Sequence, residues 1–170
     1  MRRYRRLKRR SGVLSALLAL TACLPYGFTG GGLPSHVRTI AVIPFENLTA
    51  APELQRELAE AFRSEMQNRL GLRNAAESRA NAILRGTIQR YETDIPIAYS
   101  GSNTNQTSAR RQLQISVDIE LFDQVTGKVL WQRKSLTAEG LYEERGVLQG
   151  RKEAIDRIVN DVIQGAQSQW

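Results

Sequence analysis

The clearest alternation of apolar and polar positions in the chain runs from Arg110 to Phe122. Leu113, Ile115, Val117, Ile119 and Leu121 share one parity, and Gln114, Ser116, Asp118 and Glu120 the other. A period of two predicts a half-buried strand of an antiparallel pair. Residues 123–128 read as a turn with Gly127 at a positive-φ position, and a further strand is expected over 129–138. The pattern leaves its buried face open, because Val129 and Trp131 compete with Leu130 and Leu136. Upstream, Ile40-Ala41-Val42-Ile43 within 37–45 is short, apolar and rich in β-branched residues. It predicts a strand covered on both faces and ended by Pro44. Between Ala80 and about Tyr91, Ala82, Leu84, Gly86 and Ile88 alternate with Ile83, Arg85, Thr87 and Gln89, which predicts another strand.

Two segments follow the helical period instead. From Pro52 to Leu70, Leu54, Leu58, Phe62, Met66 and Leu70 recur every four residues beside Ala61, with Pro52 at the start and Gly71 as the stop. From Gly146 to Gln169, Leu148, Ile155, Ile158, Val159, Val162, Ile163 and Ala166 form one apolar stripe. The order is β-α-β-β-β-α. It predicts an α+β two-layer sandwich in which a mixed four-stranded sheet carries two helices on one face. The first strand–helix–strand unit implies a parallel pair. Residues 93–109 read as a long polar loop holding an apolar island, Ile95 to Tyr99.

Ahead of this body stands a different pattern. Residues 1–10 hold seven Arg and Lys and no acid, followed by an apolar or small run from Val13 to Ala22. About ten apolar residues are too few to span a bilayer, which takes roughly 20, but suit a secretory signal. Leu20-Thr21-Ala22-Cys23 resembles the lipobox, in which the Cys is acylated and becomes the first residue of the mature chain. Cys23 is the only Cys present. The expected division is a signal peptide over 1–22, a lipidated tether over 23–36 rich in Gly and Pro, and one domain over 37–170. Several acyl chains such as palmitate on Cys23 would hold the chain stably on a membrane. Removing the seven leading basic residues from 24 leaves 17 against 17 acidic ones. The net charge of +7 therefore belongs to the signal, and nucleic acid is excluded as a partner.

Signs of catalysis are missing from the sequence. With Cys23 acylated and His36 the only His, no nucleophile–base pair remains. A lone His without Cys or carboxylate neighbours reads as a loop residue. Gly30-Gly31-Gly32 lacks the strand, helix and Lys of a phosphate loop. No catalytic, metal or cofactor residues are expected, apart from the covalent lipid on Cys23.

The string Tyr26-Gly27-Phe28-Thr29-Gly30, Leu33-Pro34, His36 to Val42 and Phe45-Glu46-Asn47-Leu48-Thr49 resembles the start of LptE, the lipopolysaccharide-assembly lipoprotein family. Ala80 to Ile88 and the Thr126-Gly127-Lys128-Val129-Leu130-Trp131 hairpin are similar to it further along. Ile40 to Asn47 also resembles the first strand of the LpoB and CsgG periplasmic lipoproteins, a binding or secretion class. The LptE resemblance implies an outer-membrane lipoprotein on the periplasmic side that partners and plugs the LptD β-barrel and helps assemble lipopolysaccharide. Such a role needs basic groups for lipid phosphates. Arg90, Arg110, Arg111, Arg133 and Lys134, at strand ends or on a sheet face, are the candidates. The apolar island in the long loop makes Ile97 and Tyr99 candidates for contact with the barrel wall, whose lumen is polar.

Overall fold

The structure, a computed structural model, describes residues 32–97, 111–143 and 145–168. The elements are β1 (Thr39–Val42), β2 (Glu46–Asn47), α1 (Glu53–Leu70), β3 (Arg73–Asn74), a single 3₁₀ turn at Glu77–Arg79, β4 (Ala82–Pro96), β5 (Arg111–Asp123), β6 (Lys128–Tyr142) and α2 (Val147–Ser168). The sheet order is β3-β1-β4-β5-β6, with the two-residue β2 also on β4. β1 runs parallel to β3 and β4, and β4-β5-β6 is an antiparallel meander. The fold is α+β with a mixed open sheet and two helices, as the residue pattern predicts; two short strands are added to the four expected.

Both helices cover one face. Ile40, Leu84, Ile88, Ile115 and Val117 from the sheet join Leu58, Phe62, Ile158 and Val162 from the helices in a single buried cluster. Phe45 and Phe62 stack within it, 5.7 Å between centroids. The opposite face holds only a small cluster of Ala41, Ala80 and Ile83. β1 is therefore covered on both faces, which explains its unbroken apolar run. Pro44 ends it, and the chain resumes pairing one step along as β2, parallel to β4. Gly71 closes α1 with φ 66, its N–H on the Gln67 carbonyl and that of Leu72 on the Met66 carbonyl. Residues Gly31–Trp170 form a compact unit of their own. Among the described residues no helix is long and apolar enough to cross a membrane.

The structure departs from the sequence reading in four places, the simplest being that β6 runs on to Tyr142 instead of ending at Ala138. β4 does not stop near Tyr91 but continues through Pro96. Two bulges allow this: Gln89 is skipped in the register with β5, and so are Thr93 and Asp94, with Asp94 at φ 60. The expected loop thus begins later, and residues 98–110 lie outside the described ones. β6 resolves the competition over its faces with bulges of its own. Leu130 is skipped between Trp131, opposite Leu121, and Val129, opposite Phe122. Leu130 and Trp131 can then both be buried while Val129 is not. A second bulge at Lys134 and Ser135 returns Leu136 to the core face, where it opposes Val117. Lastly, Leu148 is 71% exposed. It keeps the phase of the α2 stripe but lines an open, mostly charged groove between the helices with Glu57, Glu60, Ala61, Lys152 and Ile155.

Candidate functional site

The three antiparallel strands leave one face of the sheet uncovered, and its side chains follow from register. Arg85, Thr87, Arg90 and Glu92 of β4, Gln114, Ser116, Asp118 and Glu120 of β5, and Gln132, Thr137 and Glu139 of β6 share it. A shallow hollow of about 410 Å³ opens where β2, β4, β5 and β6 meet, bounded by Glu46, Arg85, Asp118, Glu120, Arg133 and Lys134 among others. Arg85 clamps Glu120 with Nε at 3.0 Å and Nη2 at 2.6 Å. Its guanidinium also lies 5.5 Å from the Phe122 ring centroid. The Asp118 carboxylate accepts the Ser135 N–H at 2.7 Å, which holds the second β6 bulge and aims its residues at the hollow.

The expected cations are not gathered into one patch. Arg133 and Lys134 border the hollow, but Arg133 pairs at 3.6 Å with Asp161 of α2. Arg90 pairs with Glu92 at 3.6 Å on the open face. Arg111 donates to Asp94 at 2.7 Å near the far end of the sheet. Arg111, with the Tyr142 hydroxyl at 2.8 Å, holds the Asp94 carboxyl below its ordinary value. Burial, then the Asp94 hydrogen bond, pushes the Tyr142 phenol up. This knot ties β4, β5 and β6 together where the β4–β5 connection leaves the sheet. Ile97 is half-buried just beyond it. Cys23, Tyr99 and Arg110 lie outside the described residues.

Three charged sites were not anticipated. His36 is not alone: its Nε2 lies 2.7 Å from Oδ2 of Asp123, 87 residues away in sequence. Asp123 is 1% exposed. Burial alone would push its carboxyl up. Hydrogen bonds from Thr126 and His36, and from the N–H groups of Val125 and Thr126, outweigh that and hold it below its ordinary value. The Asp-x-x-Thr-Gly turn was a legible signal for this carboxylate; nothing local marks its pairing with His36. Arg151 is buried between the helices and bonded at 2.8 Å to both Glu53 and Glu57 of α1. Arg85 completes the three, and strand parity alone could have placed it on the open face. Among the described residues no group of three or more His, Cys, Asp or Glu could hold a metal ion.

The Asp123 geometry predicts acid sensitivity. A carboxylate lowered on folding from the ordinary 3.8 contributes stability that is complete above the unfolded value and lost as pH falls through the folded one. Asp123→Asn should cost about 2 kcal/mol at neutral pH and flatten the decline of melting temperature below about pH 5. Thermal melts of both proteins across that range measure it; parallel curves would contradict the role of the carboxylate.

Several solved structures are similar to this chain at low identity. A protein from Xanthomonas campestris has 12% identity, covers 81% of this chain and 87% of its own, and superposes with a TM-score of 0.55; that likeness is one of fold. PelC from Paraburkholderia phytofirmans matches at 16% identity, 77% and 92% coverage and TM-score 0.49. A minor lipoprotein from Acinetobacter baumannii matches at 14%, 79% and 94%, and 0.45. A search of curated protein sequences finds no match. A family model described as lipopolysaccharide-assembly, LptE, matches residues 37–167, from just before β1 to the last turn of α2. The chain belongs to the LptE family of lipopolysaccharide-assembly lipoproteins.

Proposed function

We propose that this chain is an outer-membrane lipoprotein, acylated on Cys23 and facing the periplasm, that partners and plugs an LptD-type β-barrel and helps assemble lipopolysaccharide. The observation that carries the reading is the family match over 37–167 downstream of a signal that ends in Leu20-Thr21-Ala22-Cys23. The role is one of binding, not catalysis, and takes no cofactor. A body with a polar uncovered sheet face suits a barrel lumen, which is itself polar. Lys134 has no ion-pair partner among the described residues and borders the open-face hollow. It is the first candidate for a lipid phosphate, ahead of Arg90, Arg111 and Arg133, which are paired, and Arg110. Ile97 and Tyr99 are the proposed barrel contacts.

Affinity purification from native membranes tests this. A large β-barrel should co-elute, and crosslinkable residues at positions 97 and 99 should capture it more than one at Asp161. Absence of any barrel from the eluate would refute the partnership. Cys23→Ser should abolish incorporation of a fatty-acid analogue, since no second Cys exists; undiminished label would refute the anchor.

A further inference from the structure

One end of the sheet collects four cations that lie in no ion pair among the described residues. Register defines this end. Thr39 at the start of β1 pairs with Arg73 of β3, Ile40 with Ala82 of β4, Ala82 with Asp123 of β5, and Asp123 with Lys128 of β6. The connecting segments are bound to one another here. The Asn81 side chain accepts the N–H groups of Arg38 and Thr39, both at 3.1 Å. Gln124 donates to the carbonyls of Glu77 and Ala80 at 2.7 and 3.0 Å. This end therefore carries Arg38, Arg73, Arg79 and Lys128, all exposed. The segments that form it, residues 33–39, 71–81 and 123–129, contain two carboxylates, Glu77 and the buried, fully bonded Asp123.

None of the four cations lies in an ion pair among the described residues, and the Arg38 guanidinium donates only to the Ser35 carbonyl at 3.5 Å. Elsewhere Arg85, Arg90, Arg111, Arg133, Arg151, Lys152 and Arg157 are paired, while Arg63 and Arg69 of α1, Lys134 of β6 and Arg145 are in no ion pair among the described residues but are spread over three segments. Val125 at the hairpin tip is 61% exposed and Val129 44%, so the same end presents apolar side chains among the charges.

The chain also enters the body at this end. Leu33 packs on the core, the Val37 N–H closes a turn on the Pro34 carbonyl, and His36 is held to the hairpin by Asp123. Only nine residues lie between Cys23 and Leu33, ten steps of chain that span at most about 35 Å. The β4 and β6 strands, of 15 residues each, run about 50 Å, so the opposite end of the sheet lies beyond that reach.

We propose that this end, with Arg38, Arg73, Arg79 and Lys128 around Val125 and Val129, is a membrane-contact surface for the anionic phospholipid headgroups of the leaflet that holds the anchor. The placement of that leaflet rests on acylation of Cys23; the affinity of the surface does not. Clustered cations bind an anionic bilayer cooperatively and lose that binding in salt, while the two valines suit the headgroup–acyl boundary. The surface would set the body upright on the membrane, with the open sheet face turned sideways.

The test uses residues 24–170 without lipid, which contain the whole compact unit and omit the basic signal. Flotation with phosphatidylcholine vesicles is compared with vesicles holding about a third phosphatidylglycerol, an anionic share meant to match a charged leaflet. Binding is expected only to the anionic vesicles and should fall as salt rises. Each single change to Gln among the four should weaken it roughly fivefold, and the four together should abolish it while melting temperature is unchanged. Arg56→Gln and Lys152→Gln, at exposed positions on the two helices, should leave it intact. Equal binding to neutral vesicles, or full binding by the fourfold variant, would overturn the proposal. So would loss of binding to inorganic phosphate at matched ionic strength, which would assign a discrete anion site. Failure of Cys23 acylation appears separately, in the labelling of the full chain.

Discussion

Replacing Val162 by Asp unfolds the domain. Val162 is fully buried on α2, within the cluster where helix meets sheet. An aspartate there brings a charge into a site with no cation to pair it, at a cost of several kcal/mol. Domains of this size hold only about 5–15 kcal/mol in reserve. The neighbouring residue makes the comparison sharp. Asp161 is exposed, and its ion pair with Arg133 is 3.6 Å long between half-exposed groups. Asp161→Ala should therefore change stability by less than about 1 kcal/mol. Denaturant melts of the two variants measure the difference; similar midpoints would mean that α2 presents another face to the sheet.

Gly140→Ala is expected to lower stability by about 3 kcal/mol or more, a fall in melting temperature of roughly 10 °C for a chain of this length. The reason is contact, not backbone freedom. A Cβ on Gly140 would stand 1.8 Å from the carbonyl oxygen of Gly150 and 2.5 Å from its carbonyl carbon. Both are backbone atoms of the first turns of α2, so no side-chain rotation relieves the overlap. The helix itself would have to lift from β6, disturbing the Glu153 carboxylate that accepts the Leu141 N–H. Gly127→Ala provides the contrast. Nothing lies within 4 Å of its Cβ position, but φ is 68, so only the left-handed conformation is penalised, by about 1 kcal/mol. Melts that rank Gly127→Ala as the more damaging would reverse this reading.

The site was legible to an uneven degree. The lipobox is a contiguous string of four residues, so sequence alone suffices to propose it. The cations proposed for lipid phosphates were chosen by position on strands, and strand position does not reveal partners. Glu92, Asp94 and Asp161 reach three of them, and only Glu92 is a near neighbour of its partner in sequence. The cations at the β1-start end of the sheet, which have no ion pair among the described residues, escaped notice because Arg38, Arg73, Arg79 and Lys128 come from three separate segments. They share a surface only through parallel and antiparallel register.

What the sequence determined by itself was the order of the periodic elements and the buried face of those with a clean period, the last strand excepted. The parity of Leu113 to Leu121 and the four-residue spacing of Leu54 to Met66 are local, and burial of an apolar stripe is the same requirement in any fold. Tertiary structure decided whatever depends on a partner far along the chain. Trp131 and Leu130 are both buried because β6 bulges against β5, a two-strand event that alternation within one strand cannot encode. Leu148 keeps its helical phase yet lies exposed, because the groove it lines is mostly charged. His36 and Asp123 meet across 87 residues because β1 and β5 flank β4 in register. A hydrogen bond of that kind depends on where folding brings two groups, and neither residue carries a local mark of the other.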